Sequence, residues 1–452
     1  MKNNLRDKLF VFLILTICLV PLAGFVLCGP SAAGANEVQA APPKLNTPDG
    51  GFNASVLDDA ADWFGDGFYL RQELITANSR LLADTLATSS AEDVVLGRSG
   101  WLYYGKSLGD YTGEGALSDR DIFCAANNIR LMSEKCAGEG IDFLFTIAPN
   151  KNSLYPENMP DYPIVDSTKN ADRLMDRLGE MGVSTADMFA AFGSRSETLY
   201  FSQDSHWNSR GAALAADTIL SGLGRNGNFF SDAFSGSRRH TGDLYRMLYP
   251  TAQGGETDPC YDGGLDFTFT GPASEPDSIM LETASGGSGI LYMFRDSFGN
   301  QLYPYMAASF GKAVFSRSAA YNIQNVLESG ADTVVVELVE RNIRYLLDYP
   351  ALFQAPELSA PEADRIEGAV NLTVTPADKS RLLGCCLIEG CVEGPVDDDS
   401  PVYISTAGRT YEALLLGGGK FSAYVPETPG EDTYVIYRAG GRFLSLPTQN
   451  AD

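Results

Sequence analysis

Apolar residues recur along this chain in runs that predict a β-sheet combined with helices. Four short, continuously apolar segments are typical of strands in a parallel sheet: residues 143–148, 290–294, 313–316 and 333–338. Longer stretches with helical spacing alternate with them: residues 119–136, 169–181, 210–223 and 298–310. This alternation indicates an α/β domain with a parallel sheet, in which ligands bind where the strands end.

The pattern changes after about residue 361. Short alternating segments such as NLTVT, PVYIST, KFSAYVP and TYVIYRA follow without helices, and they predict a small all-β sandwich. We therefore expect a linker at residues 36–53, a catalytic domain at 54–360 and a sandwich domain at 361–452. The sandwich serves either as a structural appendage or as a surface that binds sugar or cell wall.

The chain begins with a segment typical of exported proteins. Lys2, Arg6 and Lys8 precede an apolar run at residues 9–28. Residues 1–35 are therefore either a membrane anchor or a signal peptide, because the run is long enough to anchor the protein in a bilayer, while Ala33-Gly34-Ala35 resembles a signal-peptide cleavage site. In both, the rest of the protein lies outside the cytoplasm, either secreted or held at the outer face of the membrane.

Charge and cysteine content limit the partners and the kinds of cysteine site that we expect. The formal net charge of −25 excludes nucleic acid as a partner, since such a surface repels phosphates. Cys385, Cys386 and Cys391 lack the second ligand pair and the nearby histidine of a zinc site. We expect instead a disulfide between Cys385 or Cys386 and Cys391, and a further pair is possible between Cys124 and Cys136.

The segment YFSQDSHWNSRGAALAA, residues 200–216, carries one of only two histidines. An Asp two positions before a His can fold back and accept the imidazole Nδ1–H, which fixes the tautomer and stabilises the imidazolium. Asp204 and His206 have this spacing, and Asn208 or Ser209 can cap the following helix. The alternative is a surface histidine beside a helix cap.

A nucleophile for this pair is predicted in ILYMFRDSFGNQL. A buried strand ends at Phe294 and a helix begins near Phe298, so Ser297 lies in the turn between them. The amides of Phe298 and Gly299 would then serve as an oxyanion hole. The alternative is that Asp296 or Ser297 only caps the helix.

Together these segments contain the three residues of a Ser-His-Asp triad. A triad is defined by the geometry of its side chains, so the three residues can occur in any order along the sequence. The other histidine, His240 in SRRHTGDL, has no comparable partner spacing. We therefore predict Ser297, His206 and Asp204 as the catalytic residues, and we expect neither a metal nor a cofactor.

Several segments resemble a known family. DSHW, followed by NSRGA, resembles the Asp-x-His-Trp motif of bacterial DHHW proteins and of the alginate O-acetyltransferase (AlgJ/AlgX) proteins, a branch of SGNH hydrolase-like folds. GRSGWLYYG, APNKNSLYPENMP, FRDSFG and ELVERN resemble further family segments, in order between Trp63 and Arg341. The resemblance implies a three-layer α/β/α domain with Ser297 as nucleophile, His206 as general base and Asp204 as its orienting residue.

The order of the blocks matches the acetyltransferase branch, because Asp204 and His206 precede Ser297 whereas ordinary SGNH hydrolases have the serine block first. The glycine usual before Asp-Ser is Arg295 here, as in DHHW proteins. The family's oxyanion Gly and Asn have no obvious counterpart. Asn150 and Asn152 are candidates, and hydrogen bonding within their own loop is the alternative role.

Further candidates for the pocket are charged or aromatic. They are Lys151, Tyr155, Arg295, Glu340 and Arg341. An arginine can hold a substrate carboxylate in a bidentate manner, and for each residue a loop anchor or structural ion pair is the alternative. Trp101, in the aromatic run at 101–104, forms either a sugar-stacking wall or part of the core.

The leading hypothesis is an extracytoplasmic O-acetyltransferase that acetylates a cell-surface or secreted polysaccharide through an acyl-enzyme. The resemblance implies that a membrane-bound O-acyltransferase delivers the acetyl groups, and an anchor at residues 9–28 would keep the enzyme beside it. Two alternatives stay open: an esterase that uses the same triad to remove acetyl groups, and a non-catalytic protein that binds or assembles polysaccharide.

Overall fold

The computed structural model describes residues 2–34 and 37–450. Helices are distributed over the N-terminal three quarters of the chain. They are α1 Lys2–Cys28, α2 Val56–Gly67, α3 Arg71–Leu86, α4 Leu108–Thr112, α5 Asp119–Gly138, α6 Lys151–Leu154, α7 Asn170–Glu180, α8 Met188–Gly193, α9 Ser209–Gly222, α10 Asp243–Leu248, α11 Gly299–Ser309, α12 Ile323–Ser329 and α13 Tyr345–Asp348.

Strands form a central sheet, two short hairpins and a C-terminal sheet. They are β1 Val94–Leu96, β2 Leu102–Tyr104, β3 Asp142–Ala148, β4 Thr185–Ala186, β5 Phe234–His240, β6 Glu256–Tyr261, β7 Phe267–Phe269, β8 Met280–Ser285, β9 Ile290–Phe294, β10 Lys312–Ser316, β11 Thr333–Val339, β12 Glu357–Leu358, β13 Asp364–Arg365, β14 Val370–Thr375, β15 Cys386–Cys391, β16 Val402–Thr406, β17 Arg409–Glu412, β18 Leu414–Leu415, β19 Lys420–Val425, β20 Tyr434–Ala439 and β21 Arg442–Asn450.

The central sheet has seven strands in the order β4-β3-β11-β9-β10-β8-β7. Alternate side chains of its middle strand point to opposite faces: Val334 and Val336 pack with α5 and α7, whereas Val335 packs with α9 and α11. Both faces of the sheet are therefore covered by helices. This confirms the predicted α/β/α layers, and the four predicted strands are within one residue of the observed ones.

One edge of the sheet departs from the parallel pattern. Strands β4, β3, β11, β9 and β10 are parallel, but β8 is antiparallel to β10, and β7 is antiparallel to β8. The short connection from β8 to β9, residues 286–289, reverses the chain without the helical crossover that parallel strands need. Because alternate residues of β8 are exposed, this edge has the half-solvated character of an antiparallel strand.

The C-terminal part is all-β, as predicted. Its strands form one continuous path, β12-β17-β16-β20-β21-β14-β15-β19-β18, with β13 added to β21. The long strand β21 joins the two halves, since it pairs antiparallel with β20 and then, at residues 448–450, parallel with β14. The sandwich is thus one curled sheet. Strand β12, at Glu357–Leu358, already belongs to it, and the boundary at 360/361 stays a prediction.

Helix α5 makes polar contacts with the C-terminal part. Asn128, which is 3% exposed, donates to the carbonyl oxygens of Leu346 (3.0 Å) and Leu415 (2.7 Å). Its side-chain oxygen accepts the Leu415 amide at 2.8 Å. Two residues further along α5, Arg130 pairs with Glu412. The C-terminal sheet is therefore held against the face of α5 that points away from the central sheet.

The predicted disulfides are wrong. All eight cysteines are free. Cys124 and Cys136 lie on one helix, twelve residues or about 18 Å apart. Cys386 and Cys391 are the two ends of strand β15, about 17 Å apart, and Cys385 lies just before that strand. These separations exceed the roughly 7 Å between Cα atoms that a disulfide can bridge.

Helix α1 contains a segment, Leu5–Cys28, with the length and apolar composition of a membrane span and a mean hydropathy of 2.8. A signal sequence has the same properties, so both interpretations of the N-terminus remain open. Of the predicted cleavage site, Ala33 and Gly34 are described, and Ala35 lies outside the described residues.

Replacing Asn128 tests the α5 contact. We expect Asn128→Ala to lower the free energy of unfolding by about 2 to 4 kcal/mol, because three buried backbone groups lose their partner. Urea unfolding measures the change. Glu134→Ala on the same helix is the matched control, since its exposed pair with Arg130 contributes at most about 0.5 kcal/mol. Equal effects of the two variants would contradict this account.

Candidate active site

Three neighbouring parallel strands, β3, β11 and β9, end at the same edge of the central sheet. Their following loops carry Asn150 to Asn152, Glu340 with Arg341, and Asp296 with Ser297. A parallel sheet binds ligands at this edge. The topology therefore gathers most of the predicted site residues in one place, although they are up to 191 positions apart in sequence.

Ser297 lies in the tight turn between β9 and α11. The preceding Asp296 holds this turn, because its carboxylate accepts the amides of Phe298 (2.9 Å) and Val339 (2.8 Å). Asp296 therefore ties the turn to the end of β11, whereas α11 begins at Gly299 without a side-chain hydrogen bond at its N-cap. The Ser297 hydroxyl is left for another partner, and it contacts His206 Nε2 at 2.9 Å.

His206 is held by the segment around it. Its backbone carbonyl accepts the Phe201 amide, the next residue, Trp207, is fully buried, and Asn208 caps α9 by accepting the Gly211 amide at 3.0 Å. The imidazole lies 4.8 Å from the Phe298 ring and remains 19% exposed. The ring is therefore fixed in orientation and still accessible from one side.

Asp204 is a buried carboxylate that accepts four N–H donors. Oδ1 accepts His206 Nδ1 at 2.7 Å and the His206 amide at 2.9 Å. Oδ2 accepts His240 Nε2 at 2.8 Å and the Asp243 amide at 3.0 Å. Burial raises the pKa of this carboxyl, but the hydrogen bonds from both histidines outweigh it and hold the pKa well below its usual range.

His240 is the residue that the sequence analysis missed. It has no partner at close spacing in the sequence, yet both histidines of the chain bind the same carboxylate. Hairpin β5–β6 carries His240 to this position, where its ring stacks on Phe201 with centroids 4.0 Å apart. The 36 residues that separate it from Asp204 leave no local signal in the sequence.

Asp243 is a second missed residue. It accepts the amide and hydroxyl of Ser205 at 2.8 and 2.6 Å, and its Oδ2 lies 3.6 Å from His206 Nδ1. Burial lowers the pKa of His206, but hydrogen bonding to Asp204 and the charges of Asp204 and Asp243 outweigh burial, so the pKa is raised above 6.5.

The ligand atoms of Asp204, His206 and Asp243 lie within 4.8 Å of one another, close enough to surround a cation. A carboxylate has about four lone-pair sites, and those of Asp204 are occupied by its four N–H donors. In this arrangement the cluster is a hydrogen-bond network, and a metal would have to displace a histidine from Asp204.

Lys151 holds the loop that leads to His206. Its buried ammonium donates to the carbonyl oxygens of Phe201 (3.1 Å), Ser202 (3.0 Å) and Asp204 (2.6 Å). Burial lowers the pKa of Lys151 to about 7, against the attraction of Asp204, Asp243 and Glu256. This buried side chain supports the loop through three of its carbonyl groups.

Glu256, which the sequence did not indicate, holds the same loop from its other side. Its carboxylate accepts the amide of Ser202 at 2.6 Å and that of Gln203 at 2.9 Å. Lys151 donates hydrogen bonds to the carbonyl groups of this short segment, and Glu256 accepts hydrogen bonds from its amides. The segment is therefore bonded on both sides, which fixes the position of Asp204.

Three other predicted residues serve the loops. The Asn150 amide donates to Glu340 and its side chain to Asp110, and Asn152 donates to Ser107. Tyr155 accepts the Leu199 amide at 2.9 Å. These contacts match the loop-anchoring alternative.

The predicted arginines and Trp101 differ in placement. Arg295 is buried, donates to Asn300 at 2.5 Å and Pro276 at 2.7 Å, and has a pKa lowered to about 10 by burial. The Arg341 guanidinium lies 5.4 Å from the centre of the Phe298 ring, and the same ring packs against His206. Trp101 packs on Tyr155 with centroids 5.0 Å apart.

One of the two predicted oxyanion-hole donors is wrong. The Phe298 amide is not available, since it donates to Asp296. Among the described residues, the amides of Ser297 and Gly299 have no hydrogen-bond acceptor. A side chain at Gly299 would lie 2.5 Å from Arg295 Cδ, so glycine is required at this position.

The influence of Asp243 on His206 can be measured directly. Asp243→Asn removes a negative charge near Nδ1, so we expect the pKa of His206 to fall toward 6.5. The imidazole signals, of which there are only two, report this by NMR titration. Asp277→Asn, which removes an exposed carboxylate paired with Arg317, is the control. An unchanged or higher pKa in Asp243→Asn would contradict the assignment.

Residues 94–268 match the family model described as an SGNH hydrolase-like domain of the acetyltransferase AlgX. For residues 94–268, this confirms the resemblance that the motifs indicated. The matched range includes Asp204, His206, His240, Asp243 and Glu256, and it ends before Ser297. No curated protein matches this chain in sequence.

Several solved structures resemble the chain at low identity. A DHHW family protein from Eubacterium siraeum has 16% identity and a TM-score of 0.39, covering 52% of this chain and 90% of that one. PatB1 of Bacillus cereus has 16% identity and a TM-score of 0.42, covering 55% and 96%. AlgX of Pseudomonas aeruginosa has 12% identity and a TM-score of 0.39, covering 78% and 90%.

Proposed function

Because residues 94–268 carry an SGNH hydrolase-like domain of the AlgX acetyltransferase family, we propose that this protein is a polysaccharide O-acetyltransferase with Ser297 as its nucleophile. The observation that carries the proposal is an unbroken hydrogen-bond chain. It runs from Ser297 Oγ to His206 Nε2 at 2.9 Å and from His206 Nδ1 to Asp204 Oδ1 at 2.7 Å. These are the contacts that a Ser-His-Asp triad requires.

In the first half-reaction, His206 accepts the proton of Ser297 while Oγ attacks the acetyl carbonyl of the donor. The tetrahedral intermediate collapses, the bond to the donor breaks, and the imidazolium returns the proton to the leaving group. In the second half-reaction, His206 takes a proton from a sugar hydroxyl, which attacks the acetyl ester. Ser297 leaves and recovers the proton, and the acetyl group is now on the sugar.

Three features support this chemistry. The low pKa of Asp204 keeps it ionised beside His206, so it stabilises the imidazolium formed in each half-reaction. The amides of Ser297 and Gly299, which lie in the turn and at the start of α11, are the donors we assign to the oxyanion. Arg341, which lies over Phe298, adds positive charge near the same turn.

The 2.9 Å contact between Ser297 and His206 counts against a role limited to binding. Hydrolysis differs from transfer only in the acceptor, because water replaces the sugar hydroxyl. The apolar helix α1 supports an extracytoplasmic location, where acetyl-CoA is absent. The acetyl groups would then come from a membrane-bound O-acyltransferase, as in the hypothesis drawn from the sequence.

Replacement of the triad serine tests the proposal. We expect Ser297→Ala and His206→Ala each to lower p-nitrophenyl acetate hydrolysis at least about 1,000-fold, and the double variant to be no worse, because the residues act as a unit. Mass spectrometry should find acetyl on Ser297 in the wild type. Transfer of the label to an oligosaccharide indicates a transferase, and its release to water alone indicates an esterase. Ser288→Ala, an exposed serine on the loop before β9, is the control. Wild-type activity in Ser297→Ala would reject the triad.

The second histidine is a positioning residue in this scheme. We expect His240→Phe, which keeps the stacking on Phe201, to lower kcat about tenfold because Asp204 loses a donor. The acid limb of the pH profile, set by His206, should move to higher pH, since Oδ1 becomes a stronger acceptor. His240→Gln supplies an N–H in place of Nε2 and should restore both. A drop in kcat without a shifted limb would indicate a purely structural role.

A further inference from the structure

We propose that a groove beside the triad binds a neutral pyranose chain, and that this chain is the acceptor of the proposed acetyl transfer. The inference rests on the proposed function for its role as acceptor site, and on the groove itself for the class of ligand. The groove lies between helix α3, hairpin β1–β2 and the end of α10, and it encloses about 640 Å³. This volume is in the range of small-molecule and sugar sites.

Aromatic side chains line the groove. Trp101 comes from the hairpin, and Tyr245 and Tyr249 come from α10 and the residue after it, with ring centroids 5.1 Å apart. All three are partly exposed, unlike the aromatic residues of the core. Partly exposed Trp and Tyr offer a flat apolar surface with a polar edge, which suits the C–H face and the hydroxyl groups of a pyranose ring.

The polar lining favours a sugar without charge. Gln203, Asp84 and the ion pair of Arg98 with Asp161, at 2.6 Å, border the same groove. They provide donors and acceptors for hydroxyl groups. The only cation among them is paired, and the chain as a whole has a formal net charge of −25. This field opposes a polyanionic chain such as a polyuronate.

The groove is connected to the triad by a fixed segment. Gln203 immediately precedes Asp204, and three residues of extended chain bring it at most about 11 Å from His206. The Leu102 amide donates to the Ser202 carbonyl at 2.8 Å, which fastens the hairpin to this segment. Lys151 lies 5.5 Å from the Trp101 ring and bonds the same segment. The groove therefore borders the segment that carries Asp204 and His206.

Intrinsic fluorescence of the full chain in detergent micelles tests the proposal. Of the three tryptophans, Trp207 is fully buried, and Trp101 alone lines the groove. We expect a tetramer of N-acetylglucosamine to change the emission in a saturable way, and Trp101→Phe to abolish the change. Tyr249→Ala should raise Kd about tenfold, equivalent to 1.4 kcal/mol. Asp84→Ala, an exposed position on α3, is a second variant and should raise Kd several-fold without disturbing the fold.

The chain contains a matched control. Tyr345 and Tyr349, at the first residue of α13 and just after its last, form another tyrosine pair outside the groove, with centroids 5.3 Å apart. Tyr349→Ala should leave Kd unchanged. An equal effect of Tyr349→Ala and Tyr249→Ala, or no saturable binding by the wild type, would overturn the proposal. Tighter binding of a mannuronate tetramer would overturn the assignment to neutral sugars.

Failure of this inference can be told apart from failure of the proposed function. The binding measurement requires no turnover, so Ser297→Ala should bind the tetramer as the wild type does. Binding that follows the groove variants without any acetyl on Ser297 would reject the acetyltransferase and keep the groove. Acetyl on Ser297 with no binding of the tetramer would keep the acetyltransferase and reject the groove.

Discussion

The buried carboxylate of Asp204 is the interaction on which the rest of the site depends. Four N–H donors converge on it, from His206, His240 and the first residue of α10. A buried charge is tolerable only when it is fully hydrogen-bonded, so the donors and the carboxylate require one another. The loop, hairpin β5–β6 and α10 are held together at this one group, and His206 thereby acquires a fixed orientation toward Ser297.

The support of the loop has the same character. Lys151 donates to its carbonyl groups and Glu256 accepts from its amides. A segment with no regular secondary structure therefore has hydrogen-bond partners on both sides. Burial of Lys151 is expensive in itself, as its pKa of about 7 indicates. A site that must hold a histidine and a serine 2.9 Å apart justifies such a cost, because small displacements at reacting groups reduce rates steeply.

Different parts of the fold contribute different residues to the site. The parallel strands bring the Ser297 turn and the Asn150 loop to one edge, and the pairs between neighbouring strands fix their relative height. The hairpins and α10 lie over that edge and supply His240, Asp243 and the aromatic groove. The C-terminal sheet packs on α5, on the other side of the central sheet from α9.

The sequence alone determined whatever depends on neighbouring residues. Continuous apolar runs predicted the four central strands within one residue. The strand–turn–helix pattern indicated Ser297 and the Asp-x-His spacing indicated Asp204 and His206, because each of these signals is contained within a few consecutive residues. The tertiary structure alone decided the rest. His240, Asp243 and Glu256 reach the site across 36 to 54 residues, the Phe298 amide is taken by Asp296, and the cysteines are too far apart to pair. Such contacts depend on how distant segments pack against one another, and the periodicity of neighbouring residues carries no information about that packing.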